Sequence, residues 1–187
     1  MRVNRRTMRS GWMLAGAVLA AAPFVSAASA KDGVTLGMAL EPPMLDPTAG
    51  AAAAIREVTY ANLFEGLTRV DAKGEVQPAL ARSWRISDDL KTYSFKLAEG
   101  VKFHDGEPFD CSVVKFSFER AVGPDSTNAQ KAIFAPIESI ACPDAANAVI
   151  TLKAPSSNFL FNMGWGDAVM VSPKSAATNK TNPVGTG

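Results

Sequence analysis

The sequence predicts a mixed α/β or α+β fold, and three stretches carry that expectation. Tyr93, Phe95 and Leu97 alternate with Thr92, Ser94 and Lys96, the period of a half-buried strand. Val114, Phe118 and Ala121 recur at helical spacing behind a capping Asp110 or Ser112. Further upstream, Ile55, Val58, Thr59, Asn62 and Leu63 line one side of a predicted helix over residues 51–64.

The remaining elements follow in chain order. Residues 34–40 (VTLGMAL) form a short apolar run that reads as a buried strand, stopped by Pro42 and Pro43. Gly66 is placed to cap the first helix, and residues 66–70 (GLTRV) predict a short strand turned by Ala72, Lys73 and Gly74. Trp84 and Ile86 precede a polar turn at residues 87–89. After the alternating strand, Gly100 breaks the pattern, Val101 and Phe103 make another short run, and His104-Asp105-Gly106 turns the chain. The second helix ends at Gly123-Pro124-Asp125. Residues 137–141 and 148–152 are two more strands, and residues 143–147 suit the hairpin loop between them. Residues 159–163 are apolar and lead into Gly164-Trp165-Gly166. Residues 173–187 are polar and rich in small side chains.

The first thirty residues have a different character. Arg2, Arg5, Arg6 and Arg9 are followed by an almost wholly apolar run, residues 12–25, and then by Ala28-Ser29-Ala30. Basic, apolar and small in that order is the pattern of a secretory signal peptide, Met1 to Ala30. The apolar run is shorter than the ~20 residues of a membrane span. Arg5-Arg6 raises the twin-arginine route, but Thr7-Met8-Arg9 fits it poorly, which favours general secretion. Cleavage takes away four of the 19 Lys and Arg, leaving 15 against 18 Asp and Glu, a net charge of −3. That balance argues against nucleic acid as a partner.

Two cysteines remain, Cys111 and Cys142. In an oxidising compartment they pair as a disulfide, and closing that loop is worth ~3–4 kcal/mol. The alternative is two free, buried thiols. With one histidine, His104, they make too few ligands for zinc, so neither a metal nor any other cofactor is expected. His104 lies beside Asp105, yet no nucleophile motif accompanies it and Asp105-Gly106 is a turn dipeptide, so its expected role is structural.

Several segments together resemble one family. They are Leu45-Asp46-Pro47, Leu63-Phe64-Glu65-Gly66-Leu67, the run PALARSWRISDDLKTYSFKL-AEGVKFHDGEPF-VVKFSFERA within residues 78–121, and the closing NPVGTG of residues 182–187. In this order they resemble the family 5 extracellular solute-binding proteins, the peptide and nickel binders of ABC importers. Leu90 departs from the usual glycine, Ala98 from a common basic residue, and Cys111-Ser112-Val113 from the common helix start.

The resemblance implies a periplasmic binding protein-like type II fold, of which this chain supplies part. The expected division is a signal peptide over 1–30, the start of lobe I over 31–69, an inserted smaller domain over 70–160, and a return to lobe I over 161–187, truncated before the second lobe. It implies a non-catalytic periplasmic protein, monomeric, that binds peptides or similar small solutes and delivers them to an inner-membrane permease. Two alternatives stand beside it: a truncated chain without transport activity, and an exported hydrolase, for which no nucleophile with its base is visible. The expected ligand-lining residues are Thr48, Ala49, Gly50 and Ala51, whose backbone N–H groups lie near a helix start, together with Trp165 and Asp167. The alternatives are an ordinary strand-to-helix turn for the first group and a cap on the core for Trp165. The solute itself is not legible.

Overall fold

The computed structural model describes residue 33 and residues 35–187, so the expected signal peptide lies outside the described residues. The chain divides into a short unit, Met1–Gly37, and a body, Met38–Gly187. In the short unit the described residues are exposed and carry no regular secondary structure.

The body opens irregularly. The strand expected over residues 34–40 is not formed: residues 35–40 have no strand pairing, and Met38 and Leu40 are exposed. An apolar run becomes a strand only where another strand takes its N–H and C=O groups, and apolar content alone does not supply that partner. α1 (Ala53–Thr59) is half the length that its periodicity predicts. The helix stops because Tyr60 is extended, at φ −72° and ψ 132°, and Ala61 adopts φ 61°. The Thr59 hydroxyl donates to Ile55 O at 2.7 Å in the last turn. Gly66 is therefore no helix cap. It bridges to Val169, and a Cβ there would meet Met163 O at 2.8 Å and Thr68 O at 3.0 Å. Glycine is required for close approach of two backbones.

β1 (Thr68–Val70) and β2 (Val76–Pro78) pair antiparallel, with Arg69 opposite Gln77. Asp71 organises their turn by accepting from the N–H groups of Lys73 and Glu75. A four-stranded antiparallel sheet follows, built from β3 (Ala81–Ile86), β4 (Thr92–Leu97), β5 (Ile137–Asp144) and β6 (Asn147–Leu152) in the order β3-β4-β6-β5. Register puts Phe95 opposite Trp84 and Ala148, and Tyr93 opposite Ile86 and Ile150. β5 runs through Pro143, so the hairpin tightens to Ala145 and Ala146, where Asp144 accepts from Ala146 N at 2.8 Å. The expected five-residue loop is thus mostly strand.

α2 (Cys111–Val122) covers the sheet's inner face. Asp110 caps it by accepting from Ser112 N and Val113 N, at 2.8 and 3.3 Å. Its apolar side, Val113, Val114, Phe118 and Ala121, packs with Tyr93, Phe95, Leu97, Ile150 and Leu152 in one core. Phe118 meets Phe134 at 5.4 Å between ring centroids, and Tyr93 meets Phe159 of α3 (Phe159–Asn162) at 4.7 Å. Burial of each large side chain stabilises by ~1.5–3 kcal/mol. Trp84 and Phe116 are only half-buried and contribute less than their size suggests. Cys111, in the first turn of α2, is bonded to Cys142 of β5, with Cα atoms 5.6 Å apart.

The last segment is not a loose tail. Met170 N donates to Glu65 O, Leu45 N to Lys180 O, and Gly187 N to Leu63 O, at 2.8, 2.9 and 3.2 Å. Residues 169–171, Ser175, Asn179 and Val184 are buried. Backbone bonding draws a polar, small-residue segment onto the body where side-chain pattern gave no sign of it.

Candidate functional site

The site is best built outward from Asp46, a carboxylate with no solvent exposure. It folds the chain after Leu45 into a side-chain turn: Oδ1 accepts from Thr48 N at 2.9 Å and from Thr48 Oγ1 at 2.6 Å. Its carbonyl accepts from Ala49 N at 3.1 Å. Arg120, in the last turn of α2, completes the cluster. Its Nη1 donates to Thr48 Oγ1 at 2.6 Å, and its Nη2 to Asp46 Oδ2 at 3.2 Å and Ala176 O at 3.4 Å. One guanidinium thus joins α2, the 46–48 turn and the 172–180 segment. Thr48 and Arg120 share a polar recess of about 300 Å³ with residues 123–127.

A second arginine joins the other two loops. Arg56, on α1, donates through Nε to Asp167 Oδ2 at 2.8 Å and through Nη2 to Asp167 Oδ1. The same guanidinium gathers Gly50 O at 3.0 Å, Ala52 O at 3.3 Å and Pro47 O at 3.4 Å. Asp167 is 4 % exposed, and its backbone carbonyl accepts from Asn128 Nδ2 at 3.0 Å. Planar, forked donors suit both a carboxylate and a row of carbonyls. Gly166 lets the loop approach: a Cβ there would lie 3.1 Å from Arg56 Cγ. Tyr60 fixes the same loop by donating to Gly164 O at 2.5 Å. Burial raises the Tyr60 hydroxyl pKa, Arg69 opposes that rise and Glu65 adds to it.

The residues expected to line a ligand therefore divide. Gly50 and Asp167 are joined through Arg56, a residue that sequence pattern did not single out, while Thr48 and Ala49 are bonded to Asp46. The N–H groups of Thr48 and Ala49 are already taken by Asp46, and α1 begins two residues beyond Ala51. Two of the four expected donors are thus engaged within the chain. Asp167 serves the loop through its arginine. Trp165 is 37 % exposed and stands edge-on to Phe161, 6.3 Å between centroids, at the surface rather than over the core. Arg120 was legible only as the arginine of the VVKFSFERA segment, and Asn128 carried no signal. Both act across chain separations that no local period records. Among the described residues, no group of three or more His, Cys, Asp or Glu side chains is placed to hold a metal. No described helix is long and apolar enough to cross a membrane.

The chain is similar to known proteins along nearly all its length. The model of the family described as bacterial extracellular solute-binding proteins, family 5 Middle, matches residues 75–187. A glutathione-binding protein GsiB of Pectobacterium atrosepticum is 34% identical over 185 residues, 97% of this chain and 36% of that protein. A putative ABC transporter peptide-binding protein of Brucella ovis is 34% identical over 95% of this chain and 35% of its own length. Among solved structures, the periplasmic binding protein AgaA of A. tumefaciens R10, in complex with agropinic acid, superposes with a TM-score of 0.71 at 30% identity. That match covers 79% of this chain and 30% of AgaA. NikZ of Campylobacter jejuni, in complex with Ni(L-His), gives 0.68 at 29% identity over 79% of this chain and 30% of its own. The chain spans about a third of the length of the curated relatives it matches.

Proposed function

This chain belongs to the family 5 bacterial extracellular solute-binding proteins, and from that premise we propose that it forms part of the solute-capturing component of an ABC importer. On this reading the protein is exported to the periplasm through its Met1–Ala30 leader, binds peptides or similar small solutes without chemical change, and hands them to an inner-membrane permease. Residues 70–160 act as the smaller inserted domain. The residues at 48–51 and 165–167 form part of the wall against which a solute rests.

One observation carries the proposal beyond family membership. The Arg56–Asp167 fork ties the 47–52 loop to the 164–168 loop, so two segments far apart in sequence behave as one rigid surface with Trp165 exposed beside it. A binding wall must hold its shape before the ligand arrives, because ordering it afterwards costs affinity. Because the chain spans about a third of its relatives' length, full affinity is a property of a chain of their length.

Titration calorimetry tests this. Glutathione, short peptides, agropinic acid and the nickel–histidine complex are titrated into this chain and into a chain extended to the length of the relatives. Binding of one of these by the extended chain, weakened by Trp165→Ala, supports the reading. An extended chain that binds none and instead hydrolyses a peptide overturns it. N-terminal sequencing of the exported protein tests cleavage after Ala30.

A further inference from the structure

The four-stranded sheet has a second face, turned away from α2, and register decides what stands on it. Ser83 lies opposite Lys96, and Arg85 lies opposite Ser94, across β3 and β4. Opposed residues share a face, and so do residues two apart along a strand. Four exposed side chains therefore form a square, with two cations on one diagonal and two hydroxyls on the other. Neighbouring corners are about 5 Å apart at Cβ and diagonal corners about 7 Å. Phe95, between Ser94 and Lys96, points the other way and is buried in the core. With Asn147 and Val149 of β6, the square lines a recess of about 300 Å³.

Neither cation is neutralised within the described residues. Their ion pairs are Arg56–Asp167, Lys115–Glu119, Arg120–Asp46 and Lys174–Glu107, and none involves this face. The side-chain hydrogen bonds of β3, β4 and the turn between them are made by Ser87, Asp89 and Tyr93, outside the square. Arg82, the extra residue where the register shifts between Ala81 and Ser83, is exposed and adds a third charge. β3, β4 and β6 contain no acidic residue. The carboxylate at the border is Asp144 of the β5–β6 hairpin, whose two oxygens accept from Asn147 Nδ2 at 2.9 Å. Like charges at this spacing repel. We propose that this face binds a phosphoryl-type oxyanion, a free phosphate or a phosphate ester, seated between β3 and β4. The Arg85 guanidinium offers a planar fork to two oxygens, and the Lys96 ammonium offers a point charge to a third. The Ser83 and Ser94 hydroxyls rotate to donate as well. A singly charged carboxylate leaves one cation unanswered, whereas a dianion answers both. Val149 gives the alcohol part of an ester an apolar wall. None of these residues belongs to the loops at 48–51 and 165–167, so this site stands whether or not those loops hold a solute.

The 187-residue chain is titrated with inorganic phosphate at pH 8 and constant ionic strength, and its amide shifts are followed by two-dimensional NMR. Reading each residue separately keeps Arg2, Arg5, Arg6 and Arg9 from mimicking the site. The expected result is that Ser83, Arg85, Ser94 and Lys96 shift together and saturate with one midpoint in the millimolar range, while Val114 in α2 does not move. Glycerol 3-phosphate shifts the same amides, and the tighter of the two shows whether a free or an esterified phosphate is preferred. Arg85→Gln and Lys96→Gln each raise the midpoint about tenfold or more, the worth of a charge-assisted hydrogen bond. In phosphate-free buffer both variants unfold at the wild-type temperature or above it, because each removes a repulsion. Shifts that grow without saturating for both anions, equal shifts from chloride at the same ionic strength, or an unchanged midpoint in both variants overturns the proposal.

Discussion

Arg56 and Asp167 stand 111 residues apart in the chain, and the guanidinium of one grips both carboxylate oxygens of the other. The arginine lies midway along a short helix. The aspartate lies on a loop reached only after six strands and a longer helix. Their bond is one of several that join the first and last parts of the body, with Leu45 N to Lys180 O and Gly187 N to Leu63 O.

Breaking that pair strands a buried charge. Asp167→Ala or Arg56→Ala is expected to cost about 3 kcal/mol in urea unfolding, towards the lower end for a buried pair because Arg56 keeps some exposure. The double variant costs less than the two losses added together. Arg56→Lys does not rescue, since an ammonium cannot satisfy two carboxylate oxygens and the Gly50 carbonyl in one plane. Additive losses, or full rescue by lysine, count against the fork.

The Cys111–Cys142 bond closes a loop of 31 residues between α2 and β5. Reduction is expected to lower stability by about 3–4 kcal/mol, and Cys142 is exposed, so a reductant reaches it without prior unfolding. Paired urea curves with and without dithiothreitol measure the effect. The Cys111→Ala/Cys142→Ala chain shows the same loss and no response to reductant.

Leu90 adopts φ 54° in the turn between β3 and β4, a conformation that costs a side chain ~1–2 kcal/mol. Glycine relieves that strain but gives the unfolded chain more conformational entropy to lose on folding, so Leu90→Gly is expected to stabilise by about 0.5–1 kcal/mol. Thermal unfolding should shift upward by about 1–4 °C for a chain of this size. Gly74→Ala and Gly106→Ala, at φ 81° and 85°, shift it downward.

Two tyrosines set an alkaline limit. Burial raises the pKa of both Tyr60 and Tyr93 above the ordinary phenol value. The folded chain then keeps protons that the unfolded chain releases, so stability falls as pH rises above ~10. Tyr60→Phe costs about 1 kcal/mol at neutral pH, through the lost bond to Gly164 O, and flattens the alkaline limb. The acid limb has the opposite sign. Asp71, held low first by the Glu75 N–H, Asp89 by the Ser87 hydroxyl and Asp144 by the Asn147 amide, support stability above the ordinary carboxylate range and lose that support as pH falls through it. Urea midpoints measured from pH 3 to 11 trace both limbs.

Much of the sheet and helix scaffold was legible. The alternation of Tyr93, Phe95 and Leu97 marked β4 to the residue, because a strand's two faces differ in burial at every step. The start of α2 was legible to within two residues, as Asp110 or Ser112, and Asp110 takes the cap because its side-chain oxygen answers N–H groups two and three residues on. Leu90, a departure from the glycine that the family resemblance leads one to expect, adopts a positive φ, the conformation that favours glycine. Failure came where an element needed a distant partner. Residues 34–40 read as a strand from composition, but composition does not supply a neighbouring strand. Residues 51–64 read as one helix, but the chain turns at Ala61 so that its N–H donates to Phe64 O at 2.8 Å.

By itself the sequence determined the inward face of β4, the apolar side of α2 and the polar turn that separates β3 from β4. These are local matters, read from spacings of two to four residues and from single turn residues. Only the tertiary structure decided that Arg56 holds Asp167, that Arg120 joins Asp46 and Thr48, and that residues 184–187 dock against His104 and Leu63. Those contacts pair groups whose partners are fixed by how the elements pack in space. A charged or backbone group buried by packing takes whichever partner packing brings, and no periodicity along the chain encodes that choice.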